Sequence, residues 1–211
     1  MAPSRRSTLR SAWLGSILLI ALFSPVLVRA DQNLESLKEI SAKIQSIKAD
    51  FVQKRSLPIL TKPLLSEGKF YFSAPDSLRW EYLSPVRSVM LQKGKVLKLY
   101  HFSEGRWKPE LTPAVESIRM VLSEISLWCQ GHFDESKSFE ARYLPGPPKR
   151  ILLIPKRGID KFVQRIEIVL SEKPGLIERV EMEEPDGSRT VMEFKKSEIN
   201  TKISPGIFEN P

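Results

Sequence analysis

The sequence predicts a mainly β protein with an α lid, in which a strongly curved antiparallel sheet is covered by amphipathic helices. Three observations carry that prediction. Apolar and polar residues alternate with a period of two through much of the chain beyond Ser66, the spacing of strands with one buried face. The alternating runs are separated by short gaps rich in proline, glycine, aspartate and serine, which suit hairpins. Only two stretches carry the three- and four-residue spacing of an amphipathic helix.

The first of these follows Asn33, a residue able to cap a helix. Leu34, Leu37, Ile40, Ile44, Ile47 and Phe51 recur at helical steps as one apolar stripe, with Glu35, Lys38, Glu39 and Lys43 outside it. From Ser66 the period changes. Phe70 and Phe72 share a face, as do Leu78, Trp80 and Tyr82, while Arg79 and Glu81 point the other way. Turns are expected at residues 74–76, 83–85, 93–95 and 103–105. Between Pro113 and Gln130 the second helical stripe appears, with Val115, Ile118, Val121, Leu122, Ile125 and Trp128 on one face after a proline suited to a first turn.

Strands then resume over roughly residues 139–144, 150–154, 162–170, 176–182 and 190–196, with glycine- or proline-bearing turns between them. In the last three, Ile166, Ile168 and Leu170, then Leu176, Val180 and Met182, then Met192 and Phe194 mark a dry side. Arg165, Glu167, Arg179, Glu181, Glu193 and Lys195 mark a wet one. A large sheet with one apolar face must curl, and its inside must be filled by side chains, by another element or by a ligand. Two helices covering one mouth would leave a hydrophobic cavity. The same residues could instead close into a tightly packed core, because periodicity carries no information about volume.

Composition narrows the class. With 211 residues, 41% hydrophobic and 27% charged, the chain can bury a core, and one cysteine excludes a disulfide framework. Prolines and glycines are dispersed, so one domain is expected. Residues 1–30 read as an export signal: Arg5, Arg6 and Arg10, then an apolar run from Trp13 to Phe23, then Val28-Arg29-Ala30 with cleavage after Ala30. The apolar run is too short for a spanning helix, which needs about 20 residues. Ser4-Arg5-Arg6 leaves the twin-arginine route open beside the general one. Cleavage removes four arginines and no acid, leaving 29 basic against 25 acidic side chains, a net of +4 over 181 residues. The expected compartment is the periplasm. That charge, without a basic patch interleaved with aromatics, speaks against nucleic-acid binding.

Catalytic signals are thin. His101 and His132 fall in no nucleophile-elbow or metalloprotease context, and Cys129 with His132 supplies at most half the ligands of a structural zinc site. Glu81, Glu167, Glu181, Glu183 and Glu193 sit beside lysine or arginine on the wet side of strands, where cross-strand ion pairing accounts for them. A carboxylate pair for glycoside hydrolysis stays open. No enzyme activity, metal or cofactor is expected.

Two stretches carry a family resemblance. One is Ala49-Asp50-Phe51-Val52-Gln53-Lys54. The other runs from Ser66-Glu67-Gly68-Lys69-Phe70 through Ala74-Pro75-Asp76 to Leu78-Arg79-Trp80-Glu81-Tyr82, followed by Pro85 and Lys93-Gly94-Lys95-Val96-Leu97. With Leu153-Ile154-Pro155-Lys156 and the ending Ile207-Phe208-Glu209-Asn210-Pro211, this order resembles the LolA-like outer-membrane lipoprotein carriers over nearly all of residues 31–211. The resemblance implies an unclosed, half-barrel sheet lidded by helices. It implies a periplasmic chaperone whose apolar interior takes acyl chains of lipoproteins from an inner-membrane ABC transporter and passes them to an outer-membrane receptor, as a monomer and without covalent chemistry. A carrier or sensor of another lipid or glycolipid is the alternative.

On that reading the wall and lid residues are Phe51, Phe70, Phe72, Leu78, Trp80, Met90, Leu122, Ile166, Ile168, Val180, Met182, Met192 and Phe194, each of which would serve equally as plain core filler. Two positions qualify the resemblance. The family arginine that latches the lid is here Ala74, and Arg79 reads either as a solvated strand residue or as a lid contact.

Overall fold

The structure is a computed structural model that describes residues 26–110 and 115–211. The apolar run 13–23 and Pro113 lie outside these, while Val28-Arg29-Ala30 belongs to the backbone of the first helix. The elements follow in chain order. Helix α1 spans Val26–Ser41, and the strands before the second helix are β1 Ser46–Ser56, β2 Leu64–Ser73, β3 Ser77–Ser84, β4 Ser88–Lys93, β5 Val96–Ser103 and β6 Arg106–Pro109. Helix α2 is Val115–Cys129, after which come β7 Phe139–Leu144, β8 Arg150–Pro155, β9 Arg165–Leu170, β10 Ile177–Glu183 and β11 Arg189–Ile199.

All eleven strands form one antiparallel sheet in the order β6-β5-β4-β3-β2-β1-β11-β10-β9-β8-β7. Every neighbouring pair is a sequential hairpin or crossing except β1 with β11, which joins the first strand to the last. The outer strands β6 and β7 are not paired, so the sheet stays open, as expected for a half barrel. The five strands after α2 lie within a few residues of the stretches the alternation marks, because their hairpin turns are punctuated by glycine and proline.

The first helix departs from expectation. It ends at Ser41, and the chain reverses through Ala42–Gln45 before Ile47 and Phe51 enter β1, the strand at the middle of the sheet. The reason is arithmetic: residues four apart share a helix face, but they also share a strand face, so Ile47 and Phe51 satisfy both periods. β1 bonds to β2 on one side and to β11 on the other, and these ladders decide the matter. The helix also starts upstream of Asn33, at Val26.

The two faces are unequal, though less simply than one wet and one dry. On the concave side Phe51, Phe70, Phe72, Leu78 and Trp80 pack with Leu122 and Cys129 of α2, while Ile151, Leu153, Ile166 and Ile168 pack with Leu34 of α1 and Trp128 of α2. Ile125 of α2 touches both groups, which places α2 across the hollow of the sheet. Outside, β10 and β11 carry the expected ion pairs: Glu181 lies between Arg179 and Arg189, and Glu193 between Lys54 and Lys195. Toward β3 and β4 the outer face is dry instead. Val89 and Leu91 are buried there, and the short 3-10 turn Pro205–Phe208 folds back over β3 and β4 with Phe208 buried.

Arg79 belongs to that outer layer and is neither solvated nor a lid contact. Its guanidinium pairs with Glu81 at 3.0 Å and donates to the carbonyls of Ile207 (3.0 Å) and Asn210 (2.7 Å), pinning the C-terminal segment. Alternation gave the correct face but could not foresee its cover.

Candidate functional site: a lidded apolar cavity

Between the concave face and α2 lies a cavity of about 550 Å³, within the range of small-molecule sites. Its floor is aromatic. The rings of Phe70 and Trp80 lie 5.3 Å apart, and Phe194 approaches them at 6.0 and 6.2 Å, all edge to face. Such rings are rigid and leave a fixed wall. Met90, Val180, Met182, Met192 and Ile166 continue the wall along β4, β9, β10 and β11, and Leu122, Ile118 and Ile125 form its roof on α2. Methionine here supplies a surface that adapts to shape.

Of the residues expected as walls, Phe70, Trp80, Met90, Leu122, Ile166, Val180, Met182, Met192 and Phe194 therefore line the cavity. Phe51, Phe72, Leu78 and Ile168 do not. They are essentially fully buried one layer beneath it, Phe51 tilted against Trp80 at 4.9 Å and edge-on to Tyr82 at 5.2 Å, and they hold the wall rather than form it. Alternation cannot separate these two layers, because both point to the same side of the sheet.

One end of the cavity is polar, and sequence reading missed it. Gln53 and Arg55 continue the inward alternation of β1 beyond Phe51, and Tyr82 and Thr190 face them. Tyr82 Oη donates to Gln53 Oε1 at 2.9 Å, and Arg55 pairs with Glu184 at 3.0 Å. Burial pushes the Tyr82 phenol up, with the Trp80 indole and the Arg55 charge offsetting part of that. The signal was present in the sequence, but only for a reader who had placed residues 46–56 in a strand. At this same end Ile159, Phe162 and Val163 of the β8–β9 connection reach the cavity, and Phe162 is 68% exposed.

The lid is tied down by groups other than a latch at position 74. Ala74 is half-buried against the aromatic cluster. On α2, Arg119 donates through Nη1 to the carbonyl of Lys95 in the β4–β5 turn at 2.6 Å, and Ser126 lies 3.5 Å from the carbonyl of Pro75. Cys129, at the end of α2, lines the cavity and is fully enclosed, which pushes its thiol up to about 12. His132 turns away from it toward Glu135, at 3.4 Å. Among the described residues no group of three histidine, cysteine, aspartate or glutamate side chains is placed to hold a metal, and no helix is long and apolar enough to cross a membrane.

An outer-membrane lipoprotein carrier protein of Bordetella avium is 26% identical over 198 residues, covering 92% of this chain and 90% of that protein. Two solved structures are similar at low identity. A DUF1329 family protein from Desulfovibrio piger has TM-score 0.48 at 11% identity, covering 83% of this chain and 94% of that one. A LolA superfamily protein from Nitrosomonas europaea has TM-score 0.43 at 13% identity, covering 85% and 96%. The family model of the outer membrane lipoprotein carrier protein LolA matches residues 42–210, from the turn before β1 to the segment that Arg79 pins, and the chain thus belongs to the LolA family.

Proposed function

We propose that the protein is a periplasmic chaperone that takes the acyl chains of lipoproteins into the lidded cavity and carries them from the inner to the outer membrane. The observation that carries this reading is the cavity itself: about 550 Å³ of space walled by aromatic, methionine and aliphatic side chains beneath an amphipathic helix. Burying an acyl chain there is worth ~0.8 kcal/mol per methylene, so affinity needs no covalent step. Release requires the lid to give way and an acceptor that binds the cargo better. On this reading residues 1–30 are removed on export, the remainder acts as one domain, the donor is an inner-membrane ABC transporter and the acceptor an outer-membrane receptor.

A second reading, a carrier or sensor of another lipid or glycolipid, is favoured by one observation. Gln53, Arg55, Tyr82 and Thr190 give the cavity a polar end suited to a headgroup. Mass spectrometry of what co-purifies from the native envelope separates the readings: acylated peptides support lipoprotein carriage, a free glycolipid the second. Met192→Arg, which puts a charge into the wall, should abolish either cargo while leaving the fold intact. Cargo retained in that variant would overturn both.

A further inference from the structure

Most of the large exposed apolar side chains lie at one end of the half barrel. Ile59, in the connection between β1 and β2, is 88% exposed, Val86 between β3 and β4 67%, Phe162 between β8 and β9 68%, and Leu65 at the start of β2 56%. Antiparallel register puts these connections at the same end, since Arg55 pairs with Leu64, Tyr82 with Ser88, and Glu183 with both Arg165 and Arg189. The tips also meet across the sheet: Pro58 lies 3.6 Å from where a side chain at Gly187 would begin, in the β10–β11 turn. Scattered exposed apolar residues are ordinary, but a row of them on hairpin tips marks an interaction edge.

Charge at this end leans to the basic side in what it leaves free. Of its acids Glu67, near Leu65 on β2, is exposed without an ion-pair partner among the described residues, whereas Glu104 pairs with Lys108, Glu183 with Arg165 and Glu184 with Arg55, and Asp160 and Asp186 accept from the backbone amides of Gly158 and Ser188. Among the described residues Lys62, Arg106, Arg157 and Lys161 are exposed there with no carboxylate partner. Apolar tips ringed by unpaired cations are the arrangement that suits a bilayer carrying anionic headgroups. The cavity reaches this same end, where the exposed Phe162 and the polar Gln53 and Arg55 are among its lining.

We propose that this end of the half barrel is a membrane-contacting edge, which seats Ile59, Leu65, Val86 and Phe162 at the acyl boundary of an anionic bilayer and brings the polar end of the cavity to it. Contact of this kind is shallow and reversible, as a shuttle or an extractor of lipid would need.

The test is local, so that the apolar amino-terminal segment cannot mimic it. An environment-sensitive fluorophore is attached at position 59 through Ile59→Cys, and separately at position 96 through Val96→Cys. Val96 is also an exposed valine, 57% accessible, but lies at the opposite end. Cys129, the one native thiol, is buried. On vesicles of phosphatidylethanolamine with a minority of phosphatidylglycerol, the label at 59 should shift to the blue and be quenched by brominated lipid, and the label at 96 should not. Replacing phosphatidylglycerol by phosphatidylcholine, or combining Val86→Asp with Phe162→Asp, should weaken the response roughly tenfold. Equal responses at 59 and 96 would overturn the proposal. So would silence at 59 on protein-free vesicles with a response on native inner-membrane vesicles, which would assign the edge to a protein partner.

Discussion

The ring of Phe51 occupies the space that a side chain on Gly68 would need. A Cβ at that position would stand 2.6 Å from Phe51 Cε1 and collide with the carbonyl of Glu81 on the facing strand. The glycine is what allows a phenylalanine of the central strand to lie tilted beneath Trp80 and so to support the cavity floor. Gly68→Ala is expected to destabilise the protein by about 1–3 kcal/mol, since both neighbours are held by the sheet and cannot retreat. A denaturant midpoint unchanged from that of the native chain would refute the close approach.

Arg79 makes a different kind of support, from outside. Its guanidinium neutralises Glu81, which is largely enclosed, and satisfies two carbonyls of the C-terminal segment. Removing it leaves a buried carboxylate and two carbonyls unpaired, so Arg79→Ala should cost about 3 kcal/mol or more. Arg79→Lys should recover only part, because an ammonium cannot reach acceptors in the fork geometry of a guanidinium. The readouts are thermal stability and release of the last residues by carboxypeptidase. A C-terminus as resistant in both variants as in the native chain would show that Phe208 and the Lys93–Glu209 ion pair hold it without the guanidinium.

These two residues also show how far the sequence could be read. Hairpins such as β2–β3 and β9–β10 were legible because alternation and turn chemistry agree there, and α2 because its stripe advances mostly in steps of three, which would alternate between the two faces of a strand. β1 was not, since Ile47 and Phe51 fit a helix face as well as a strand face, and the choice rests on ladders to β2 and to a strand well over a hundred residues away. The wall of the cavity was legible as a face but not as a layer. Phe72 and Ile168 share the alternation of Phe70 and Ile166, and only the curvature of the sheet decides which of each pair meets the hollow. Arg79 was placed on its correct face and misjudged in burial, because the segment covering it arrives from the far end of the chain.

Cys129 should make stability fall in alkaline solution. Its thiol is pushed from an ordinary value of 9.0 up to about 12 by enclosure beside the cavity, with no charged partner contributing. The unfolded chain therefore loses this proton first. The contribution is complete below about pH 9 and is lost as pH rises toward 12, with a slope of up to ~1.4 kcal/mol per pH unit. Between about pH 8 and about pH 10.5 the native protein should lose ~2 kcal/mol more than Cys129→Ala does over the same interval. Parallel losses in the two proteins, measured by chemical denaturation, would place Cys129 in contact with solvent.

The same thiol reports on the lid. Cys129 terminates α2, and α2 is tied to the β4–β5 turn by the Arg119 hydrogen bond to Lys95 rather than by a side chain at position 74. If that bond holds the lid shut, Arg119→Ala should raise the rate at which Cys129 reacts with a small maleimide at neutral pH by about tenfold, the equivalent of ~1.4 kcal/mol in the opening equilibrium, a size usual for a hydrogen bond from a charged donor. Global stability should change less, because the aromatic floor and the sheet remain. An occupant in the cavity should slow the reaction again in both proteins, since Cys129 lies on its wall. Equal labelling rates in the native chain and in Arg119→Ala would mean that apolar contacts of Leu122, Ile125 and Trp128 close the lid unaided.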